Sequence, residues 1–202
     1  MHDNELSNIK MNKKIIKYTV LGVVAVFILF YISGIFFPPS VSEGRINEAL
    51  AFCKKNDLNT EYAIFVDFGK LSGRERYMIY SFSQHKVIYR CLCATGLKKD
   101  KFSNTPGSNL SSLGKYRIRN GIHMMKIGRE GLIVDGLEYS NSNAKSRMIL
   151  IHQSEVLNIF PKSIFPIPII GKGISHGCFS ITSEGLNKTI ELRKPILLWA
   201  YK

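Results

Sequence analysis

The stretch GISHGCFSI, residues 173–181, places Cys178 directly after Gly177 and two positions after His176. A thiol of ordinary pKa is mostly protonated at neutral pH, so nucleophilic use of Cys178 requires a base or a positive electrostatic setting. Gly177 permits backbone angles closed to other residues and lets amide hydrogens approach whatever reaches the sulfur. Ser175 and His176 add polar groups beside it. His176 is the nearest base in sequence, but in an extended strand residues two apart point the same way with their tips held apart. A histidine from a neighbouring strand meets the sulfur more directly. His152 suits that role because it ends the apolar run MILIH, residues 148–152, although a lone histidine at a strand end is more often structural. His85 is expected in a turn, His123 in a loop and His2 in the N-terminal tail.

The other cysteines read as packing residues. Cys91 and Cys93 are two apart on one expected strand, a poor arrangement for bonding to each other. Cys53 falls on the apolar face of an expected helix, where a free thiol behaves as a small hydrophobe. Outside the cytoplasm four cysteines also leave two disulfides open. A zinc site built on the Cys91–Cys93 pair and a histidine would have nonstandard spacing, so neither metal nor cofactor is expected.

The elements that must position these groups are mostly strands. Ser42 can cap a helix whose apolar positions Ile46, Ala49, Leu50 and Cys53 follow three-four spacing, ending near Asn56. Residues 61–68, 76–82 and 86–94 are rich in β-branched and aromatic side chains and are separated by short polar connections. A long polar stretch follows, 95–114, of a length that is usually functional or mobile. Further strands are expected at 115–119, 131–137, 148–152, 176–181 and 195–201, with a short helix opening at Thr182 or Ser183. The outer domain is therefore mainly β, with small peripheral helices.

Before that domain, Tyr18 to Ser42 contains no charged residue. The apolar helix within it, Thr19 to Phe37, reaches roughly the thickness of a bilayer's hydrocarbon core at about 1.5 Å per residue. A cleaved signal peptide would be shorter and end in a small-x-small site, whereas Phe36, Phe37, Pro38 and Pro39 follow here. A core helix would show a polar face. The reading is a single membrane span over 18–37, with a basic cytoplasmic tail over 1–17 carrying Lys10, Lys13, Lys14 and Lys17. Residues 38–60 form a linker and short helix, and 61–202 form a domain on the extracytoplasmic, periplasmic side. From residue 40 onward, 24 Lys and Arg face 13 Asp and Glu. That excess suits an anionic partner such as lipid headgroups or a carboxylate-rich wall polymer. Nucleic acid is excluded by the anchor, and nothing in the sequence specifies an oligomeric state.

His152 followed by Ser175-His176-Gly177-Cys178 resembles the active-site signature of the YkuD-type murein L,D-transpeptidase catalytic domains. The likeness extends through VDFGKLSG (66–73), FSNTPGSNLSSLGKY (102–116), EGL (130–132) and SRMILIH (146–152), and covers about 63–201. It implies an L,D-transpeptidase-like β-sandwich in which Cys178 is the nucleophile and His152 its base. His176 would stand beside them as a catalytic candidate, Gly177, Ser175 and Gln153 would shape the site, and amides near Gly177 and Cys178 would form an oxyanion hole. A carbonyl just after the histidine, here that of Gln153, would orient the ring.

The implied reaction is attack of the Cys178 thiolate on a peptidoglycan stem peptide, release of D-Ala and formation of 3-3 cross-links. Alternatives on the same site are an L,D-carboxypeptidase or a wall-linkage hydrolase, and a further alternative is a silent wall-binding module. Arg129 and Arg147 are candidates for binding substrate carboxylates, and Gly114 and Tyr116 for lining the cleft. The sequence departs from the family in the 22-residue gap between His152 and Ser175, in Ser180 two after the cysteine, and in Gln153.

Overall fold

The computed structural model describes every residue except 1, 72, 97–100, 125–129, 160–174 and 194. Side chains of 2–11, 30, 31, 34, 35 and 124 also lie outside the description. Two compact units result, an N-terminal one ending at Pro38 and a β-rich one beginning at Pro39.

The first unit is one helix, α1 (His2–Phe36). Its described apolar side chains are open to solvent, with Val20 57% and Leu29 65% exposed. Among the described residues, no helix is long and apolar enough to cross a membrane, so the expected span rests on the sequence.

In the second unit α2 (Glu43–Lys55) starts at Ser42, with Glu43 in its first turn and Lys54 and Lys55 in its last, each complementing the helix dipole. Strands β1 (Tyr62–Asp67), β2 (Tyr77–Ser81) and β3 (Lys86–Cys91) follow, then β4 (Gly114–Met124) and β5 (Glu130–Gly136). After these come β6 (Leu150–Gln153), α3 (Glu155–Ile159), β7 (Phe179–Ile181), α4 (Ser183–Glu191) and β8 (Ile196–Tyr201). The strands form one sheet in the order β3-β2-β1-β8-β4-β5-β6-β7. Past the end of β3, Cys93 bridges to Ile181 of β7, and the Ala94 amide donates to the Ser180 carbonyl at 2.8 Å. The outer strands thus meet and the sheet is barrel-like, a correction to the expected sandwich.

Period-two alternation sorts the core. Ala63 and Phe65 of β1 pack outward with Ala49 and Cys53 of α2, together with Met78 and Leu197. Ile64 and Val66 face the interior with Tyr77, Tyr116, Ile151, Phe179 and Leu186. Full burial of each such side chain stabilises by about 1.5–3 kcal/mol. Lys115 ties α2 to this frame: its Nζ lies 2.9 Å from Glu48, 3.0 Å from Glu138 and 4.1 Å from the Trp199 ring centre.

Several expected boundaries shift. His123 belongs to the bulged β4 instead of a loop. The 176–181 strand narrows to β7, and 148–152 to β6, because Met148 takes a left-handed conformation (φ 52°) at the end of a helical turn. The short α3 was not expected. The 153–174 segment is described only as far as residue 159.

Candidate active site

Parallel pairing of β6 with β7 creates the site. His152 and Ser180 are register partners, and Cys178 sits two residues before Ser180, in the bend that leads into β7. In this parallel register Cys178 is level with Leu150, two residues or about 6.6 Å of strand from the level of His152, so the thiol and the imidazole lie on neighbouring strands two residues out of step. All four cysteines are free; Cys53, Cys91 and Cys93 are buried and Cys178 is partly open.

The ring of His152 is held from both sides. Nδ1 lies 2.8 Å from the Gln153 carbonyl oxygen. A carbonyl only accepts, so Nδ1 carries the proton and Nε2 of the neutral ring has its lone pair available. Ser180 Oγ lies 3.0 Å from Nε2 and donates to it. This hydroxyl escaped the sequence reading, where Ser180 stood only as a departure. The signal that locates it is strand register, which becomes readable once β6 and β7 are known to pair. The Gln153 side chain points elsewhere, accepting from Ser183 Oγ at 2.9 Å and so joining β6 to α4.

Ser175 closes the Ser-His-Gly-Cys turn on itself. Its Oγ donates to the Cys178 carbonyl at 2.7 Å and accepts from the Gly177 amide at 3.0 Å. The Gly177 amide is therefore already committed, which corrects its expected place in an oxyanion hole. The Cys178 amide has no partner among the described residues. Gly177 is required here, since its φ is 113° and an added Cβ would stand 2.8 Å from the Leu110 carbonyl oxygen. His176 is exposed at the turn.

The Cys178 thiol donates to the Met148 carbonyl at 3.6 Å. Burial pushes its pKa up, while the Leu150 amide and the Arg147 guanidinium pull it back. Arg147 itself is tied to the 103–112 loop, donating to the carbonyls of Ser103 (2.8 Å) and Leu110 and to Ser112 Oγ (3.4 Å).

Gly114 and Tyr116 do not line an open cleft. Both are buried, and the Tyr116 hydroxyl is engaged by the Ser112 hydroxyl (2.7 Å) and carbonyl (2.9 Å). At Gly114 a Cβ would stand 2.6 Å from Glu138 Oε2. They support the site from behind. Arg129 lies outside the described residues.

A partly open thiol one strand away from a histidine of fixed tautomer has the parts for acyl transfer through a thioester. The family comparison defines the class: the YkuD_2 L,D-transpeptidase catalytic domain matches residues 39–201, and this chain belongs to that family.

No curated protein sequence matches the chain. Among solved structures, similarity is found to an L,D-transpeptidase from Xylanimonas cellulosilytica, 11% identical over 69% of this chain and 60% of that one, TM-score 0.39. An L,D-transpeptidase from Mycobacterium smegmatis is 9% identical over 70% and 59%, TM-score 0.41. The helical cell shape determining protein Pgp2 from Campylobacter jejuni is 16% identical over 70% and 47%, TM-score 0.44. The match spans about half to three-fifths of each of these structures.

Proposed function

We propose that the protein is a peptidoglycan L,D-transpeptidase with Cys178 as nucleophile and His152 as base. One observation carries the reading beyond family membership: the single cysteine that is not buried lies one strand away from a histidine whose Nδ1 is fixed by a carbonyl. In the first half-reaction the thiol proton passes to His152 Nε2. The sulfur then attacks the carbonyl carbon between the third, diamino residue of a stem peptide and its terminal D-Ala. The C–N bond breaks, the imidazolium returns its proton to the departing D-Ala amine, and a thioester remains.

In the second half-reaction the amine of another stem attacks the thioester, giving a 3-3 cross-link and regenerating the thiol. Ser180 has to release Nε2, or turn its hydroxyl away, for the ring to take the thiol proton. An oxyanion donor in such a site is worth roughly 3–4 kcal/mol of barrier, and the Cys178 amide, without a partner among the described residues, is suited to that work. Water in place of the amine would give an L,D-carboxypeptidase. The apolar N-terminal helix is proposed as a single-pass anchor that holds the domain on the periplasmic face of the cytoplasmic membrane.

The test is intact-mass spectrometry of the full chain with a carbapenem, followed by muropeptide analysis with stem peptides. A single adduct that Cys178→Ala abolishes, together with 3-3 dimers that an added amine acceptor diverts, is expected. Adduct formation surviving in Cys178→Ala, or activity lost in His176→Ala but retained in His152→Ala, refutes the assignment.

A further inference from the structure

Arg147 meets the site from the turn that precedes β6, and its surroundings are unusual for an arginine. Its guanidinium donates to the carbonyls of Ser103 and Leu110 and to Ser112 Oγ, all neutral acceptors on one loop. Its Nη2 stands 2.9 Å from where a Gly177 Cβ would be, so the cation lies against the backbone of the residue preceding Cys178. A guanidinium remains charged under partial burial, and among the described residues no carboxylate pairs with this one. Glu138, the acid of the neighbouring turn, is held by Lys115 at 3.0 Å.

We propose that Arg147 is a positioning residue for the Cys178 reaction, not a ligand for substrate carboxylates. Its donors fasten the 103–112 loop against the Gly177–Cys178 turn, and its uncompensated charge stabilises the Cys178 thiolate. This rests on the reading of Cys178 as the nucleophile. The groups facing the sulfur agree. From β6 comes the Leu150 amide, while His152 and Ser180 pair with each other along β6 and β7, and the Tyr116 phenol near Arg147 is kept neutral by burial that raises its pKa to about 12. The 103–112 loop presents only neutral groups to Arg147. Arg147 is thus the one fixed charge among the described residues acting on this thiol. A nearby cation acts against the burial that disfavours the thiolate.

The experiment follows alkylation of Cys178 by iodoacetamide against pH, in the full chain, by peptide mass spectrometry. Arg147→Met is expected to slow labelling at pH 8 by about tenfold, the low end of what an adjacent charge does to an ionising group. Arg147→Lys, which keeps charge but not the fork of donors, is expected to recover most of the rate. Coincident pH profiles for wild type and Arg147→Met overturn the proposal.

If Arg147→Met misfolds, seen as labelling of Cys53, Cys91 and Cys93, the wild-type chain decides. At high salt its iodoacetate-to-iodoacetamide rate ratio is expected to exceed that of the urea-unfolded chain severalfold, and an equal or lower ratio overturns the proposal. Neither readout uses a wall substrate. Cys178 that shows this dependence on Arg147 yet never forms a carbapenem adduct refutes the catalytic reading alone.

Discussion

Replacing Gly177 with alanine tests whether the turn carrying the nucleophile is as tightly determined as its geometry implies. Two costs combine. The residue sits at φ 113°, where an L side chain is strained by about 1–3 kcal/mol. The new methyl would stand 2.8 Å from the Leu110 carbonyl oxygen, 2.9 Å from Arg147 Nη2 and 3.1 Å from Ile149 Cδ1.

Two of these three neighbours cannot swing aside freely, since Leu110 O is backbone and accepts from Arg147, and Ile149 is 1% exposed in the core. Overpacking of that kind adds about 1–3 kcal/mol, for a combined loss of about 2–6 kcal/mol. Part of it will be relieved by local opening of the turn. The assay is a urea titration of the full chain paired with native-state labelling of Cys178. Both a lower midpoint and a changed Cys178 labelling rate are expected. Gly44→Ala is the control, because nothing lies within 4 Å of its added methyl and alanine favours a helix by up to about 1 kcal/mol. If Gly177→Ala stays within about 0.5 kcal/mol of wild type, the range of an ordinary surface change, with labelling unaltered, the steric argument fails.

Further outcomes follow from the same contacts. Native alkylation at pH 8 should mark Cys178 alone, since burial pushes the Cys53 and Cys93 thiols up to about 12 and the Cys91 thiol up as well; peptide mapping checks this. Those raised thiols keep their protons better folded than unfolded, so their contribution is complete below the unfolded thiol pKa and is lost as pH rises toward 12. The urea midpoint should therefore fall from pH 8 to pH 10, at about 1.4 kcal/mol per thiol per pH unit above the unfolded value, and a flat midpoint would contradict it. Asn141→Ala should destabilise by about 2–4 kcal/mol, because the buried amide donates to Lys115 O at 2.9 Å and accepts from the Glu138 amide at 3.0 Å; thermal melting reads the loss. Ser180→Ala should change kcat/KM for stem peptides while leaving the melting temperature within a few degrees, and Ser180→Thr, which retains the hydroxyl, should restore it.

Strand identities were legible from residue types, because β-branched and aromatic runs such as YAIFVD and ILLWAY pack as readily in any β architecture. Their arrangement was not. Whether the sheet closes depends on Cys93 reaching Ile181 across 88 residues of chain, a pairing that no local pattern encodes. The same limit explains the cleft. Gly114 and Tyr116 sit in a motif beside the site, yet Tyr116 turns inward against Phe179, ring centres 5.2 Å apart, because inward or outward facing is set by register with β5 and β8. Arg147 was visible as a basic residue near the site, but a sequence does not tell whether its donors meet a ligand or a loop.

That the interval between histidine and cysteine is long, though not that it reaches 22 residues, follows from topology. β6 and β7 run parallel, and a strand cannot enter beside its parallel neighbour without a crossover of a dozen or more residues. The chain leaves β6 at Gln153, forms α3, and returns at Ser175, which bridges to Gly96 in the parallel sense. An antiparallel hairpin could have joined the two strands in a few residues, but it would run β7 the other way and carry Cys178 past the Gln153 end of β6, away from the Met148 carbonyl and the Leu150 amide that meet its sulfur here. Parallel pairing, bought with the long connection, is what brings Ser180 level with His152 and leaves the sulfur one step beyond.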